Sequence, residues 1–340
     1  MQYTTLGKTG LHISRICLGC MTFGDVSTNQ NAWLLDQEAT NDVVHRALAL
    51  GINYFDTANM YNGGTSEIYL GNAIRQYAQR EKVVLQTKVR FNEGGLSHQA
   101  ILREVDASLK KLQTDYIDIL IAHRWDYDVP IEETMEALNQ VIQEGKVRHI
   151  GISAVFAYQL LRAQETARRR GWRTFEVIQN HYNLIYREEE REMFQLLEEE
   201  GMVMVPYSPL AAGRLARSWE SDSLRSRNDQ YAKYKYDDQK VQDLPICQRV
   251  EELARRRGVT MAEIAFAWLL SKPLVASPIV GVTKIKHLED ACRAVDVTLD
   301  ADEIHYLEEL YRPHEVVGAA RREKKPSNYD KLISAIKDSN

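Results

Sequence analysis

Asp56 and Tyr61 stand five residues apart in the stretch Phe55-Asp56-Thr57-Ala58-Asn59-Met60-Tyr61, with Ser66-Glu67 just beyond. The apolar run Ile52-Asn53-Tyr54-Phe55 before them reads as a short buried strand that delivers Asp56 to its carboxyl end. Two later apolar runs end in the same manner. Val83-Val84-Leu85-Gln86-Thr87 leads into Lys88, and Ile117 to Ala122 leads into His123. A carboxylate, a phenol, an ammonium and an imidazole at strand exits are complementary acid–base types and suggest one site. Taken singly, each has a plainer reading: a turn cap, a packed ring, a snorkelling lysine, a satisfied core histidine. Their joint placement is what argues for chemistry.

The elements that must position them alternate. A β-hairpin is expected around Gly7-Lys8-Thr9-Gly10, then a first core strand over 13–18. Helices are expected over 37–50, 65–79, 97–112, 131–144, 155–170, 187–200, 246–257, 260–271, 284–294 and 300–310. The strands between them are 52–55, 83–87, 116–121, 147–152, 177–180, 202–206 and 276–280. Gly51 suits the C-terminal cap of the first helix. Short apolar strands joined through helices make a parallel sheet covered on both faces. Eight such units in 340 residues match a (β/α)8 TIM barrel with an N-terminal β-hairpin and a long loop after strand 7. The alternative, an open doubly wound sheet, lacks its G-x-G-x-x-G signature here, and no phosphate-loop motif occurs. Barrel enzymes carry their chemistry at the carboxyl ends of the strands, where Asp56, Lys88 and His123 are expected.

Composition excludes several classes. Hydrophobic residues are 44%, charged residues 27% and the net charge −5. That balance gives no reason to expect a nucleic-acid partner. No run approaches the ~18 apolar residues of a membrane span, so no membrane partner is expected. The N-terminus has no signal pattern, and four cysteines make no disulfide framework, so the expected location is cytoplasmic. Cys17-Leu18-Gly19-Cys20 is formally a C-x-x-C. It ends a strand rather than opening a helix, and residues three apart on a strand face opposite ways. With no second pair to complete a zinc site, an ordinary strand is the better reading, and no metal is expected.

At these residues the chain resembles the aldo-keto reductases over about residues 1–318, which leaves 319–340 as a C-terminal tail. The carriers are the Phe55–Tyr61 run with Ser66-Glu67, Gln86-Thr87-Lys88, Ile121-Ala122-His123 and Gly151-Ile152-Ser153. Further on come Gln179-Asn180-His181-Tyr182-Asn183-Leu184, Tyr207-Ser208-Pro209-Leu210, Gly213-Arg214-Leu215 and Pro278-Ile279-Val280-Gly281. The stretch from Gln179 to Met193 and the ending Tyr311-Arg312-Pro313-His314 look most like a bacterial branch often labelled 1-deoxyxylulose-5-phosphate synthase.

The resemblance implies reduction of a small aldehyde or ketone to an alcohol with NADP(H). Tyr61 would be the general acid, Lys88 would favour its phenolate, Asp56 would hold Lys88, and His123 would orient the carbonyl. It implies cofactor contacts from Gly19, Cys20, Met21 and Asp56. Ser153, Gln179 and Asn180 would meet the carboxamide, and Tyr207 would stack on the nicotinamide. Ser208 and Pro209 would also bind the cofactor, and Leu210, Gly213 and Leu215 would lie along the pyrophosphate. Gly281, a further cofactor-binding candidate, leads from the last strand into a helix start, a natural anion site, where Thr283, Lys284 and His287 match positions at the 2′-phosphate. Asp290 matches one at the adenine. Many relatives have Arg where this chain has Lys284, which binds phosphate as a point charge.

Trp33, Met60, Arg90, Arg124 and Trp125 follow barrel strands and are candidates for the substrate pocket. Aromatic walls suit an apolar or sugar-like carbonyl, and the arginines an acidic one. The polar stretch 211–245 reads as a long structureless loop, a lid or a mobile insertion. The tail, with Leu332-Ile333 and Ile336 at helix spacing, reads either as loose or as docked on a neighbouring subunit of a homo-oligomer. A second functional class stays open. Similar barrels serve as NADP(H)-binding accessory subunits of potassium channels, with slow or no turnover. A thiamine-dependent synthase would need a diphosphate and metal site that the sequence does not show.

Overall fold

The computed structural model describes residues 1–25, 27, 33–219 and 229–319. A ribbon of β1 (Tyr3–Thr5) and β2 (His12–Ser14) opens the chain, paired antiparallel with Thr4 beside Ile13. Then strands and helices alternate: β3 (Cys17–Gly19), α1 (Gln37–Ala49), β4 (Tyr54–Asp56), α2 (Thr65–Tyr77), β5 (Val84–Val89), α3 (His98–Leu112), β6 (Ile117–Ala122) and α4 (Ile131–Gln143). The second half continues with β7 (Val147–Ser153), α5 (Ala157–Arg170), β8 (Val177–Gln179), α6 (Met193–Glu200), β9 (Val203–Met204), α7 (Gln230–Tyr236), α8 (Lys240–Arg257), α9 (Met261–Leu270), β10 (Ile279–Gly281), α10 (Ile285–Arg293) and α11 (Ala301–Glu308).

Eight strands form one parallel sheet in the order β10-β3-β4-β5-β6-β7-β8-β9. The ring closes through the segment before β10. Met204 N donates to Leu274 O at 2.7 Å, Ala276 N to Met204 O at 2.9 Å, and Ile279 N to Pro206 O at 2.9 Å. The result is a (β/α)8 barrel with its hairpin at the N-terminal end.

Sequence pattern explains the layers. β5 and β6 are buried at every position, as strands covered on both faces must be. One face fills the barrel: Cys17, Tyr54, Val84, Ile119, Val177, Val205 and Ile279 form an inner cluster, which Leu6 and Ile13 of the opening ribbon extend. The other face packs against the helices in a larger outer cluster. Helix starts follow local chemistry. Asp36 caps α1 by accepting from Ala39 N at 2.9 Å, and Thr260 with Glu263 forms a capping box on α9.

Four expectations need correction. The strand expected over 13–18 is two, because Arg15 and Ile16 bend the chain from the ribbon into the barrel. The helix expected from 187 starts at Met193. Glu188–Glu190 instead form a 3-10 turn whose carboxylates serve tertiary partners. The stretch 211–245 is helical from Gln230 onward apart from a 3-10 turn at Asp237–Gln239. The helix expected from 246 begins at Lys240 and runs through Pro245. Pro245 cannot donate to the carbonyl of Val241 four residues earlier, and Val241 is 92% exposed, within reach of water. Residues 220–228 of that stretch, and the tail from 320, lie outside the described residues.

Candidate active site

The carboxyl ends of β4 and β5 bring Asp56 and Lys88 together inside the barrel. Asp56 pairs in register with Gln86 of β5, which places Lys88 one side-chain repeat further toward the mouth. Lys88 is fully buried. Its ammonium meets Asp56 Oδ2 at 2.7 Å, Thr57 O at 2.7 Å and Tyr61 Oη at 3.1 Å, which uses all three of its protons. Burial alone would lower its pKa, but Asp56 and Tyr61 outweigh that and hold it above the ordinary lysine value. Asp56 Oδ1 accepts from Gln86 Nε2 at 2.6 Å and from Gln179 Nε2 at 3.0 Å. The buried carboxylate is therefore satisfied on both oxygens.

Tyr61 is half-buried above this pair. Its oxygen accepts from the Lys88 ammonium. The turn that carries it is held from two sides. Asn62 adopts a left-handed φ of 51° while its amide donates to Met21 O at 2.8 Å and Phe23 O at 2.7 Å. Ser66 Oγ donates to Cys20 O at 2.7 Å. Buried Glu67 accepts from Thr87 Oγ1 at 2.6 Å and meets Lys111 at 3.4 Å. Ser66 and Glu67 thus fix the β4 exit to β3 and β5.

His123 leaves β6 with its N–H on Val89 O at 3.0 Å. Its ring meets Tyr61 edge-on with centroids 5.8 Å apart, and Phe91 at 5.1 Å. Burial, with Lys88, Arg124 and Arg90 nearby, holds its pKa well below the usual histidine value, so the ring is neutral. Its Nδ1 is buried with no hydrogen-bond partner among the described residues. The four strand-exit residues therefore converge: Asp56 and Lys88 beneath, Tyr61 and His123 at the mouth.

The other candidates ring the same mouth. Ser153 Oγ donates to Gln179 O at 2.6 Å. Asn180 spends its amide on the chain: Nδ2 donates to Val155 O at 2.9 Å and Glu189 Oε2 at 2.7 Å, and Oδ1 accepts from Val155 N at 3.3 Å. Burial pushes Glu189 up to about 8. Tyr207 stacks on His181, with centroids 5.4 Å apart and planes within 12°. His181 stacks in turn on Tyr186 at 4.1 Å. Gly19 lies where a Cβ would stand 2.7 Å from the Ile279 side chain, which explains its type. Cys20 is buried and Met21 is 57% exposed.

Beyond β9 the backbone is left-handed at Ser208, Ala211, Ala212 and Gly213, with φ of 56°, 47°, 54° and 100°. Strain of about 1–3 kcal/mol at such non-glycine positions is a mark of functional turns. Within the turn, Ala211 N donates to Ser208 O at 3.1 Å, Gly213 N to Leu210 O at 2.8 Å and Arg214 N to Ala211 O at 3.2 Å. Pro209 and Leu215 are buried and Leu210 is half-buried. At the start of α10, Lys284 and His287 are exposed, Thr283 is half-buried, and no acidic residue occupies the first turn. Gly281 is exposed, with open space where a Cβ would stand. Asp290 is held by Arg293 and by Lys286 at 3.5 Å. Exposed basic residues at a helix start fit a phosphate-bearing cofactor.

The pocket candidates divide. Met60 and Trp33 are half-buried. Trp125 is 8% exposed and packs in the outer core; its carbonyl accepts from Arg90 Nε at 3.1 Å. Arg124 is buried. Cys17 belongs to the inner cluster and Cys20 to the outer one. Burial raises both thiols well above the usual range, so the C-x-x-C is packing. Sequence reading missed Lys235, His181 and Phe91 as neighbours of the site. Only the density of Tyr and Lys over 231–236 hinted at a contact surface there.

A model of the aldo/keto reductase family matches residues 15–312. Versiconal hemiacetal acetate reductase of Aspergillus parasiticus is 41% identical, over 92% of this chain and 98% of its own. An aldo-keto reductase of Fusarium vanettenii is 39% identical, over 94% and 93% respectively. A Schizosaccharomyces pombe protein named as a candidate aryl-alcohol dehydrogenase is 39% identical, over 93% and 97%. These relatives are fungal and do not support the expected likeness to a bacterial branch with a synthase label.

Proposed function

The chain belongs to the aldo/keto reductase family, and from that premise we propose that it is an NADPH-dependent reductase of aldehydes or ketones with Tyr61 as general acid. Membership itself makes the protein an oxidoreductase acting at a carbonyl or the corresponding alcohol. The observation that carries the finer reading is the buried Lys88 ammonium, bound at once to Asp56 and to the Tyr61 oxygen. When bound, the reduced nicotinamide supplies hydride to the carbonyl carbon. Tyr61 then gives its proton to the carbonyl oxygen. A free tyrosine, with a pKa of about 10, is a weak donor near neutrality. The ammonium at 3.1 Å stabilises the phenolate that remains. Asp56 keeps Lys88 charged and aimed. Neutral His123 orients the carbonyl without adding charge.

Tyr207 offers the plate for the nicotinamide. Ser153 and Gln179 face its amide, and Asn180 holds their loop. The turn from Ser208 to Leu215 takes the pyrophosphate, with Gly19, Cys20 and Met21 across from it. Thr283, Lys284 and His287 take the 2′-phosphate beside Gly281, which is the ground for preferring NADPH, and Asp290 bounds the adenine end. Residues 1–318 form the catalytic domain. The aryl-alcohol dehydrogenase name among the relatives and the aromatic rings around His123 favour an aryl carbonyl.

The test is NADPH oxidation against aldehydes and ketones, with NADH in parallel and Tyr61→Phe beside the natural chain. The expected result is faster turnover with NADPH. Tyr61→Phe should keep NADPH binding and lose about 10²–10⁴-fold in rate. Undiminished turnover by that variant removes Tyr61 as the acid. Tight NADPH binding with no turnover anywhere on the panel favours the accessory-subunit reading instead.

A further inference from the structure

Beneath Lys88 the barrel interior carries a second polar layer. Side chains alternate along a strand, so Tyr54 and Asp56 of β4 share the inner face with Val84, Gln86 and Lys88 of β5. The register sets Tyr54 beside Val84 and Asp56 beside Gln86. Tyr54 and Gln86 are both fully buried. A buried amide must find partners or destabilise the core. Gln86 finds two: Tyr54 Oη donates to its Oε1 at 2.5 Å, and its Nε2 donates to Asp56 Oδ1 at 2.6 Å.

Chemistry fixes the direction of these bonds. An ionised carboxylate only accepts, so Gln86 must turn Nε2 toward Asp56. Oε1 then faces Tyr54, where only a donor satisfies it. Burial, then Cys17, Asp56 and Asp118, push the Tyr54 phenol well above its usual pKa, so its proton stays. Gln179 adds a longer bond to Asp56 Oδ1, at 3.0 Å. With Oδ1 held in this way, Oδ2 is the oxygen that faces Lys88, whose ammonium also reaches Tyr61 Oη at 3.1 Å.

We propose that Tyr54 and Gln86 are positioning residues for the reduction: they lock the Asp56 carboxylate in the rotation that aims Lys88 at the Tyr61 oxygen. The proposal rests on the reading of Tyr61 as the acid. Without the Tyr54 hydroxyl, the Gln86 amide is free to turn over and present its oxygen to a carboxylate, which repels it. Without the Gln86 amide, Oδ1 keeps only the longer bond from Gln179, and the carboxylate can rotate. Either change shifts the ammonium that stabilises the phenolate. Neither residue is a cofactor contact.

Three variants test this with NADPH and an aldehyde that the natural chain reduces. Rates are expressed per NADPH-binding site, so that unfolded protein does not count. In Tyr54→Phe and Gln86→Met, kcat should fall about 10- to 100-fold, the scale of a hydrogen bond to a charged group, with the Kd for NADPH within about twofold. Gln86→Glu discriminates positioning from packing. Its new carboxyl replaces the amide only while protonated, as a donor to Asp56. The Asp56 charge beside it raises its pKa from about 4.3. Of the other titratable groups that bear on this layer, burial keeps Cys17 and Cys20 of β3 protonated, and Asp118 of β6 is paired with Arg80 at 2.6 Å. Turnover by Gln86→Glu should therefore approach the natural rate at the acid end of the pH range. It should fall as pH rises, along a limb that the natural chain and Gln86→Met lack. Natural kcat in Tyr54→Phe or in Gln86→Met, or a Gln86→Glu profile parallel to that of Gln86→Met, overturns the positioning role alone, provided Tyr61→Phe is slow. Undiminished turnover by Tyr61→Phe overturns the acid reading and this proposal with it.

Discussion

Buried histidines give the protein an acid-sensitive component that two residues illustrate. His181 is fully buried between Tyr186 and Tyr207. Burial, then Lys235 and His314, hold its pKa well below the usual value. His123 is depressed likewise, by burial and then by the charges of Lys88, Arg124 and Arg90. A histidine with a depressed folded pKa favours the neutral form. The unfolded chain, with a histidine pKa of about 6.5, binds more protons as pH falls. The stabilisation is therefore complete above about pH 6.5 and declines below it. For His181 the slope is on the order of 1 kcal/mol per pH unit. Urea midpoints from pH 7.5 to 5.5 should fall more steeply for the natural chain than for His181→Gln. Parallel slopes would show that His181 is not held neutral by the fold.

At the scale of elements, the crossing of α2 over α3 decides how firmly the Lys88 strand is held. Gly71 of α2 faces α3 so closely that a Cβ would stand 2.7 Å from Lys111 O and 2.8 Å from Leu112 O. The same helix carries Glu67, which grips Thr87 next to Lys88 and reaches Lys111. Gly71→Ala sets two effects against each other. Helix propensity favours alanine by about 1 kcal/mol. The clash is with backbone and should cost about 1–3 kcal/mol. The clash should win, giving net destabilisation in urea unfolding and weaker turnover, because β5 shifts with the helix. A more stable variant would mean that the two helices part without strain. α7 shows the converse case, an element absent from the sequence reading. Its run Gln230-Tyr231-Ala232-Lys233-Tyr234-Lys235-Tyr236 has no apolar stripe. What orders its end is Tyr236 docking on His181 and Asn183.

Over the whole molecule, the segment past α11 ties the end of the described chain back to the barrel mouth. Tyr311 Oη accepts from Arg187 N and donates to Glu188, both at 2.8 Å. His314 Nε2 meets Asp243 Oδ1 at 2.8 Å, with that carboxylate fully buried. Val317 N donates to Tyr186 Oη at 3.3 Å, and Gly318 comes to rest against His181. His314→Ala should destabilise the protein by about 1–3 kcal/mol, the cost of leaving a buried acceptor without its partner. Adding Asp243→Asn should recover part of the loss, as a double-mutant cycle in urea would read. Full additivity of the two changes would show that the pair does not couple strap to barrel.

The strands, their order along the chain and the exits that carry Asp56, Lys88 and His123 were legible without coordinates. Each rests on a local period: a short apolar run, then one polar residue, then a helical repeat. The hairpin and most helix ends were legible for the same reason, through glycine turns and capping side chains. Other features depend on partners far apart in the chain. Gln179 reaches Asp56 across 123 positions, the ring closes through the segment before β10, and Lys235 comes to lie over Tyr207. Local patterning determined that this chain would make a barrel with acid–base groups at its mouth. Only tertiary packing decided which distant side chains surround them, because burial, charge and hydrogen bonding there are set by closure of the ring and not by neighbours in sequence.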